Sequence, residues 1–342
     1  MRILKVVLTL YIVVFVLVNF YMLFFSYSSV FFLSKSVSKV CQMMYDLGWN
    51  IIKTTFDFAA ALCYAITVKP KGARYLNLFA IQRKTVRAGK HAARIFRKGA
   101  ATVAEKGNAT NLVTDADVAI QRFLQHRLQK VLTQAGFLAE EENLQRTGDE
   151  YLWVIDPIDG TANFSRNRPN CLISVALVRN GEAVLAVCYA PNLDLLFTAI
   201  KGEGAFCNGK RIHTSDKDFS HSLFCTSLTP YQKNLADICS GIMLKVYPLC
   251  SDFRRFGSCA LELCYLAMGV CDLYFEMRVC PWDYAAAALV LTEAGGIIRG
   301  YDGEPLTYDK KTVLVAANNE ENYQKLNSII TEGIKEPIIF EE

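Results

Sequence analysis

Between residues 6 and 33 the chain carries no charged side chain, an apolar run of 28 positions. A helix of that length, at about 1.5 Å per residue, crosses a hydrocarbon core of roughly 30 Å. A secretory signal peptide has a shorter apolar core, about 7–15 residues, and ends at a small-residue cleavage site. This run is rich in Phe, Tyr, Val and Leu and shows no A-x-A. The expectation is a retained transmembrane anchor over residues 1–34. Residues 35–75 read as a basic or amphipathic linker. Within them, 51–68 is apolar but interrupted by Lys53 and Asp57, and the uninterrupted part, 58–68, is too short to span a bilayer, which favours an amphipathic or interfacial helix, with a second span the alternative.

From about Leu76 the pattern becomes that of a soluble domain. Leu78, Ile81, Val86, Ala93, Ile95 and Phe96 recur at helical spacing among basic residues and predict a helix ending near Gly99. Val118, Ile120, Phe123, Leu124, Leu128, Val131 and Leu132 predict a second helix over 115–135. Residues 151–155 read as a short buried strand stopped by Asp156-Pro157. The runs 172–178 and 183–189 flank Asn180-Gly181, a strong hairpin signal. Residues 195–200 and the Gly202/Gly204 turn extend this β region through Arg211. Residues 259–268 and 284–294 read as buried helices, the second closed by Gly295-Gly296. Hairpins mixed with helices, without regular βαβ alternation, predict a layered α+β fold, not a Rossmann sheet.

Charge adds a topology. Residues 1–100 hold 15 Lys and Arg against Asp46 and Asp57, a net of +13, while the remainder holds 22 against 31, a net of −9. Lys35, Lys39, Lys53, Lys69, Lys71 and Arg74 follow the apolar run, and only Arg2 and Lys5 precede it. The positive-inside rule then places the C-terminal domain in the cytoplasm of a single-pass protein. The basic stretch is either suited to an anionic lipid surface or a solvated helix face. The 12 cysteines fall singly, several inside apolar runs, with no CxxC and no zinc-like spacing. They read as buried free thiols in a reducing compartment.

The candidate chemistry centres on Asp156-Pro-Ile158-Asp159-Gly160-Thr161-Ala162-Asn163-Phe164. Two carboxylates at this spacing can converge on a hard cation, with the Ile158 carbonyl as a further oxygen ligand. Gly160 permits close backbone approach, and a helix starting there would offer free N–H groups to a phosphate. Read alone, Asp-Pro and Asp-Gly are ordinary turn dipeptides. Three further acidic groups stand in order along the chain: Asp115 and Asp117 after Thr114, the cluster Glu140-Glu141-Glu142, and Asp283 at the start of an Ala-rich helix.

Together these motifs resemble the inositol monophosphatase family of magnesium-dependent, lithium-sensitive sugar phosphatases. The resemblance rests on the acidic pair followed by D-P-I-D-G-T-x-N-F, and on Trp282-Asp283 through Glu293-Ala-Gly-Gly296. It covers about residues 78–330 and leaves 1–75 without a counterpart. It implies a layered αβαβα sandwich of the inositol monophosphatase/fructose-1,6-bisphosphatase type over 76–335, behind the transmembrane helix. It implies that Glu140, Asp156 and the Ile158 carbonyl hold one Mg2+, and that Asp156, Asp159 and Asp283 hold a second. Thr161 paired with Asp117 would orient and help deprotonate the attacking water, with Lys106 near the metals. Backbone N–H groups of Gly160, Thr161 and Ala162 would hold the phosphate, while Gly257, Ser258 and Glu276 would bind the alcohol. Cys259, Arg278 and Pro281 depart from the family pattern around that alcohol site.

The implied activity is hydrolysis of a small phosphorylated sugar or cyclitol, inositol monophosphate first. Fructose 1,6-bisphosphate and 3′-phosphoadenosine 5′-phosphate are the alternative substrates, and a membrane-tethered pseudoenzyme is the alternative class. The resemblance also implies a possible homodimer; no nucleic-acid partner is expected.

Overall fold

The computed structural model describes residues 77–98, 102–105, 112–141, 150–230, 232–336 and 338–340. The expected anchor over 1–34, the linker over 35–75 and Lys106 lie outside the described residues. Among the described residues no helix is long and apolar enough to cross a membrane.

Helix α1 (Leu78–Phe96) is capped by the Asn77 side chain, which accepts from Ala80 N at 3.0 Å. It buries Ile81, Ala88, Ala92, Ala93 and Phe96 and leaves its basic positions outside. After the short antiparallel pair β1 (Val103–Glu105) and β2 (Leu112–Thr114) comes α2 (Asp115–Gln129). This helix stops at Gln129, six residues before the expected end, and residues 130–135 turn into β3 (Gly136–Ala139).

Strand β4 (Tyr151–Asp159) corrects the expectation that Asp-Pro ends the strand. Its ladder with β5 (Leu172–Arg179) breaks after the Asp156/Ser174 pair and resumes at Asp159/Leu172. Pro157 has no N–H to donate, so it falls in this irregularity, where a ladder bond is not required. The interruption carries Asp156 and Asp159 to the same end of the strand. A four-residue helix, α3 (Thr161–Phe164), follows. The expected hairpin joins β5 to β6 (Glu182–Ala190) through Asn180 (φ 50°) and Gly181 (φ 80°). These left-handed angles suit a two-residue turn between right-twisted strands. β7 (Leu195–Ile200), β8 (Gly204–Cys207) and β9 (Lys210–Arg211) complete a seven-stranded sheet ordered β3-β4-β5-β6-β7-β8-β9.

The second half is a five-stranded sheet that the hydropathy pattern had not delineated. It runs β11-β10-β12-β14-β13, from β10 (Leu223–Thr226), β11 (Asp252–Arg254), β12 (Leu273–Val279), β13 (Ile297–Gly300) and β14 (Thr312–Ala317). Four helices serve it: α4 (Ala236–Val246), α5 (Cys259–Ala267), α6 (Pro281–Glu293) and α7 (Glu320–Gly333). Helix α6 begins three residues earlier than expected, with Pro281 at its first turn.

Strand alternation sorts the core into layers. Trp153, Ile155, Val175 and Leu177 face α1 and α2, while Val154, Ala176 and Ala186 face α5 and α6. On the second sheet, Tyr274, Leu314 and Ala316 face the same α5/α6 layer, and Leu273, Phe275, Val313 and Val315 face α4 and α7. The result is a five-layer αβαβα sandwich with α5 and α6 between two sheets. A helix covered on both sides needs small side chains for both sheets to approach it. Ala285, Ala286, Ala287 and Ala288 are each no more than 5% exposed. Ala286→Leu is expected to cost about 1–3 kcal/mol of stability through overpacking, read as a lowered denaturant midpoint. An unchanged midpoint would show that the middle layer has slack.

Candidate active site

The ends of β4 and the starts of α2, α3, α5 and α6 meet at one point between the two sheets. Asp156 and Asp159, from β4, are 1% and 8% exposed. Asp156 Oδ1 accepts from Ile158 N at 2.9 Å, which fixes the turn between them. Asp159 Oδ2 accepts from Ser258 Oγ and from Ala260 N, both at 2.6 Å. Ser258 is the N-cap of α5, so this aspartate ties the first sheet to the middle layer. Asp283 sits at the third position of α6, and its Oδ2 accepts from Cys280 N at 2.7 Å. Cap and candidate ligand are thus the same residue.

Glu140 extends from the end of β3, its N–H bonded to Ile155 O at 3.2 Å. Gln121 on α2 clamps the next residue, donating to Glu141 O at 2.5 Å and accepting from Glu141 N at 2.9 Å. Of the acidic pair described, Glu140 is the one whose charge raises Asp156, Asp159 and Asp283. Glu142 lies outside the described residues.

Asp117 is fully buried. One oxygen closes a capping box, accepting from Thr114 N at 2.8 Å and Thr114 Oγ at 2.5 Å. The other faces Thr161 Oγ at 3.4 Å, and Thr161 Oγ also lies 3.1 Å from Ile158 O. The hydroxyl has one proton and two acceptors, so it can donate to either.

Gly160 (φ 91°) starts α3. An added Cβ there would lie 2.9 Å from Asn170 O and 3.2 Å from Gly257 O, so backbone crowding and handedness both demand glycine. The first helical bonds run from Asn163 N and Phe164 N to Gly160 O at 2.9 and 3.0 Å, so the N–H groups of Gly160, Thr161 and Ala162 precede them and have no intrahelical acceptor. Asn163 Nδ2 reaches across the site to Asn170 O and Phe256 O, both at 2.7 Å. Phe164 packs on Phe96 of α1 with ring centroids 4.7 Å apart.

These groups border a cavity of about 490 Å³ that takes in Asp159, Gly160, Ala162, Gly257, Ser258, Glu276 and Asp283. Tyr274 OH donates to the Glu276 carboxylate. A larger cavity of about 1000 Å³ beside Trp282 and Tyr308 contains none of the β4 carboxylates, so size alone does not mark the site.

Glu262, Gln121, Arg166, Arg168 and Arg255 were not singled out from sequence, and Asn163 stood in the motif without an assigned role. Glu262 on α5 is 2% exposed, and its Oε1 accepts from Phe256 N at 2.5 Å and Gly257 N at 2.8 Å. Its signal was a lone acid inside an otherwise apolar helix. Gln121 and Asn163 are likewise backbone clamps. Arg166, Arg168 and Arg255 line the cavity together with Arg278.

Burial dominates the electrostatics. It pushes the carboxyls of Asp156 and Asp283 well up, and neighbouring carboxylates add to the shift. Asp159 rises from 3.8 to about 7, chiefly by burial, although Ser258 and Ala260 pull it back. Glu262 rises from 4.5 to about 8, first by burial and then by the Glu276 charge. Among the described residues no three His, Cys, Asp or Glu side chains are grouped at metal-binding distances. Asp159 and Asp283 point instead at helix N–H groups. The donor chemistry nevertheless fits a hard divalent cation: all-oxygen, acidic, buried and mutually repelling.

The comparisons agree with this architecture. The family model described as the inositol monophosphatase family matches residues 74–335. The chain belongs to the inositol monophosphatase family. It is 35% identical over 223 residues to "Nus factor SuhB" of Escherichia coli K12, covering 65% of this chain and 84% of that one. It is 36% identical over 245 residues to "Inositol monophosphatase 2" of Solanum lycopersicum, covering 68% and 91%. The crystal structure of the suhB protein from Bartonella henselae superposes with a TM-score of 0.69 at 31% identity, covering 75% of this chain and all of that one.

The raised carboxyls have a measurable consequence. The folded chain holds the Asp159 and Glu262 protons more tightly than the unfolded chain, so their contribution to stability is complete below about pH 4 and is lost as pH rises through about 7–8. Chelator-treated protein is therefore expected to show a Tm that falls over this interval. Added magnesium should raise the Tm more at about pH 8 than at about pH 5. A magnesium-induced shift independent of pH would contradict the carboxyl assignment. Gly160→Ala should cost more than about 1 kcal/mol and weaken phosphate binding, measured by chemical unfolding and phosphate titration; wild-type behaviour in both would remove Gly160 from the cradle.

Proposed function

We propose that the chain is a magnesium-dependent phosphomonoesterase acting on a small phosphorylated cyclitol or sugar, with inositol monophosphate the favoured substrate. The observation that carries this reading is the gathering of Glu140, Asp156, Asp159 and Asp283 beside the left-handed Gly160 turn. Glu140, Asp156 and the Ile158 carbonyl would hold one Mg2+; Asp156, Asp159 and Asp283 would hold the other. When bound, the two ions supply positive charge for the phosphate oxygens and Lewis acidity toward water and the departing alkoxide.

The chain's own groups do the rest. Thr161 Oγ orients the attacking water and takes its proton as it passes its own to one oxygen of Asp117, whose other oxygen is locked in its cap. N–H groups of Gly160, Thr161 and Ala162 hold the phosphate at the start of α3. Gly257, Ser258 and Glu276 meet the alcohol, with Glu262 fixing the 256–257 loop. Lys106 is assigned near the metals on the family pattern alone. The uncharged run over 6–33 and the basic residues after it support placing this domain on the cytoplasmic side of a membrane.

A second reading has a specific observation behind it. Four arginines on three segments, Arg166, Arg168, Arg255 and Arg278, line the cavity. They favour a substrate with a second anionic group, as in a sugar bisphosphate.

Phosphate release by the full chain, with and without magnesium, tests both readings on inositol 1-phosphate, fructose 1,6-bisphosphate and 3′-phosphoadenosine 5′-phosphate. Magnesium-dependent turnover is expected, falling about 100-fold or more in Asp156→Asn. Preference for the bisphosphate, lost in Arg278→Ala, would select the second reading. A folded chain that neither turns over these esters nor binds magnesium would indicate a pseudoenzyme.

A further inference from the structure

The outer face of the α1/α2 layer is used by neither the fold nor the site. Its exposed residues form a pattern. On α1, Arg83, Arg87, Lys90, Arg94 and Arg97 follow one another at steps of four, three, four and three, which places them in a single stripe. Lys84, His91 and Lys98, seven apart, form a second stripe beside the first. All eight are exposed, and α1 contains no acidic residue. Exposed Arg122, His126, Arg127 and Lys130 continue the surface on α2. The two helices meet where His91 stacks on Phe123 at 6.5 Å, a ring that Arg127 of the same α2 also covers at 5.3 Å. Arg97 is partly engaged, bonding Tyr189 OH at 3.2 Å.

The charge is local. Residues 101–342 carry a net of −9, yet α1 and its C-terminal flank carry seven Lys and Arg without one Asp or Glu. The first stripe runs about 21 Å along the helix, between two and three Debye lengths at physiological salt. Neighbouring like charges at this spacing repel, so they work against the isolated helix. A flat anionic surface offsets that repulsion along the whole stripe.

We propose that the outer face of α1 and α2 is a docking surface for anionic phospholipid headgroups. Two observations favour a membrane over a nucleic acid. The stripe opens with Phe79, 55% exposed, four residues before Arg83, a single apolar side chain leading a cationic row as in interfacial helices. No further Phe, Tyr or Trp is exposed along it to stack on bases, and the ring of His91 beside it is already stacked on Phe123. The chain also carries its uncharged 28-residue run upstream of this helix, with Lys69, Lys71 and Arg74 just before it. The active-site cavity has no lining residue on α1, so this face can be covered without covering the cavity.

Lysine footprinting of the full chain, by acetylation and mass spectrometry, tests the proposal. The probes are vesicles of phosphatidylcholine alone or with about one-third phosphatidylserine. Lys84, Lys90, Lys98 and Lys130 are expected to be labelled at least about threefold more slowly with phosphatidylserine, and to recover at about 0.5 M salt. Lys245 and Lys325, on the opposite outer layer, are the internal controls and should not change. The variant Arg83→Glu/Arg87→Glu/Arg94→Glu should lose the protection while keeping the wild-type unfolding midpoint and phosphatase activity. Equal labelling of both lysine sets in both vesicles would overturn the proposal. So would protection by added RNA without protection by anionic vesicles, which would make the face a nucleic-acid surface.

Discussion

Carboxylates buried within reach of one another are the constraint around which this molecule is arranged. Burial raises the proton affinity of Asp156, Asp159 and Asp283; Glu140 adds to all three, Asp159 and Asp283 add to Asp156, and Asp159 adds to Asp283. The fold restrains them with N–H donors: Ile158 N for Asp156, Ala260 N for Asp159 and Cys280 N for Asp283. Two of those donors belong to helix N-termini, whose partial positive charge partly offsets the repulsion. Such groups persist in a native structure where function requires them, because apolar residues there would be more stable.

The same demand explains the middle layer. Helices α5 and α6 deliver Ser258 and Asp283 to the site while packing against both sheets. Small side chains on α6 let the sheets close on it, and the lone charge within α5, Glu262, is spent on two backbone N–H groups. Asn163 then joins the loop held by Glu262 to the turn that begins at Gly160. Phosphate cradle, alcohol loop and carboxylates therefore form one hydrogen-bonded unit spanning the two sheets. Displacing the 256–257 loop would disturb Gly160 as well, since Gly257 O lies within 3.2 Å of where its Cβ would be.

Polarity is also distributed by layer. The interior of the sandwich holds the carboxylate cluster, and the outer face of α1 with the later turns of α2 holds a basic field. Helix α2 belongs to both: its first turn presents Asp117 to Thr161, and its last turns present Arg127 and Lys130 to solvent.

By itself the sequence determined the local elements and the identity of the chemistry. Periodicity located α1 and the β5–β6 hairpin, because a helical stripe and an Asn-Gly turn are properties of neighbouring residues. The acidic motifs were legible for the same reason, each being contiguous. Only tertiary structure decided what joins them. Strand β4 continues past Pro157 because β5 pairs again beyond the irregularity, a fact about another segment. The five-stranded sheet escaped notice because its strands are short, separated by helices and buried on both faces, which leaves no simple alternation to read. That Glu140 faces Asp156 and that Asp159 accepts from Ala260 N at the start of α5 are contacts between separate segments, and no spacing along the chain encodes them; the Glu262 bonds to 256–257 are local, yet they form only because the loop folds back on α5.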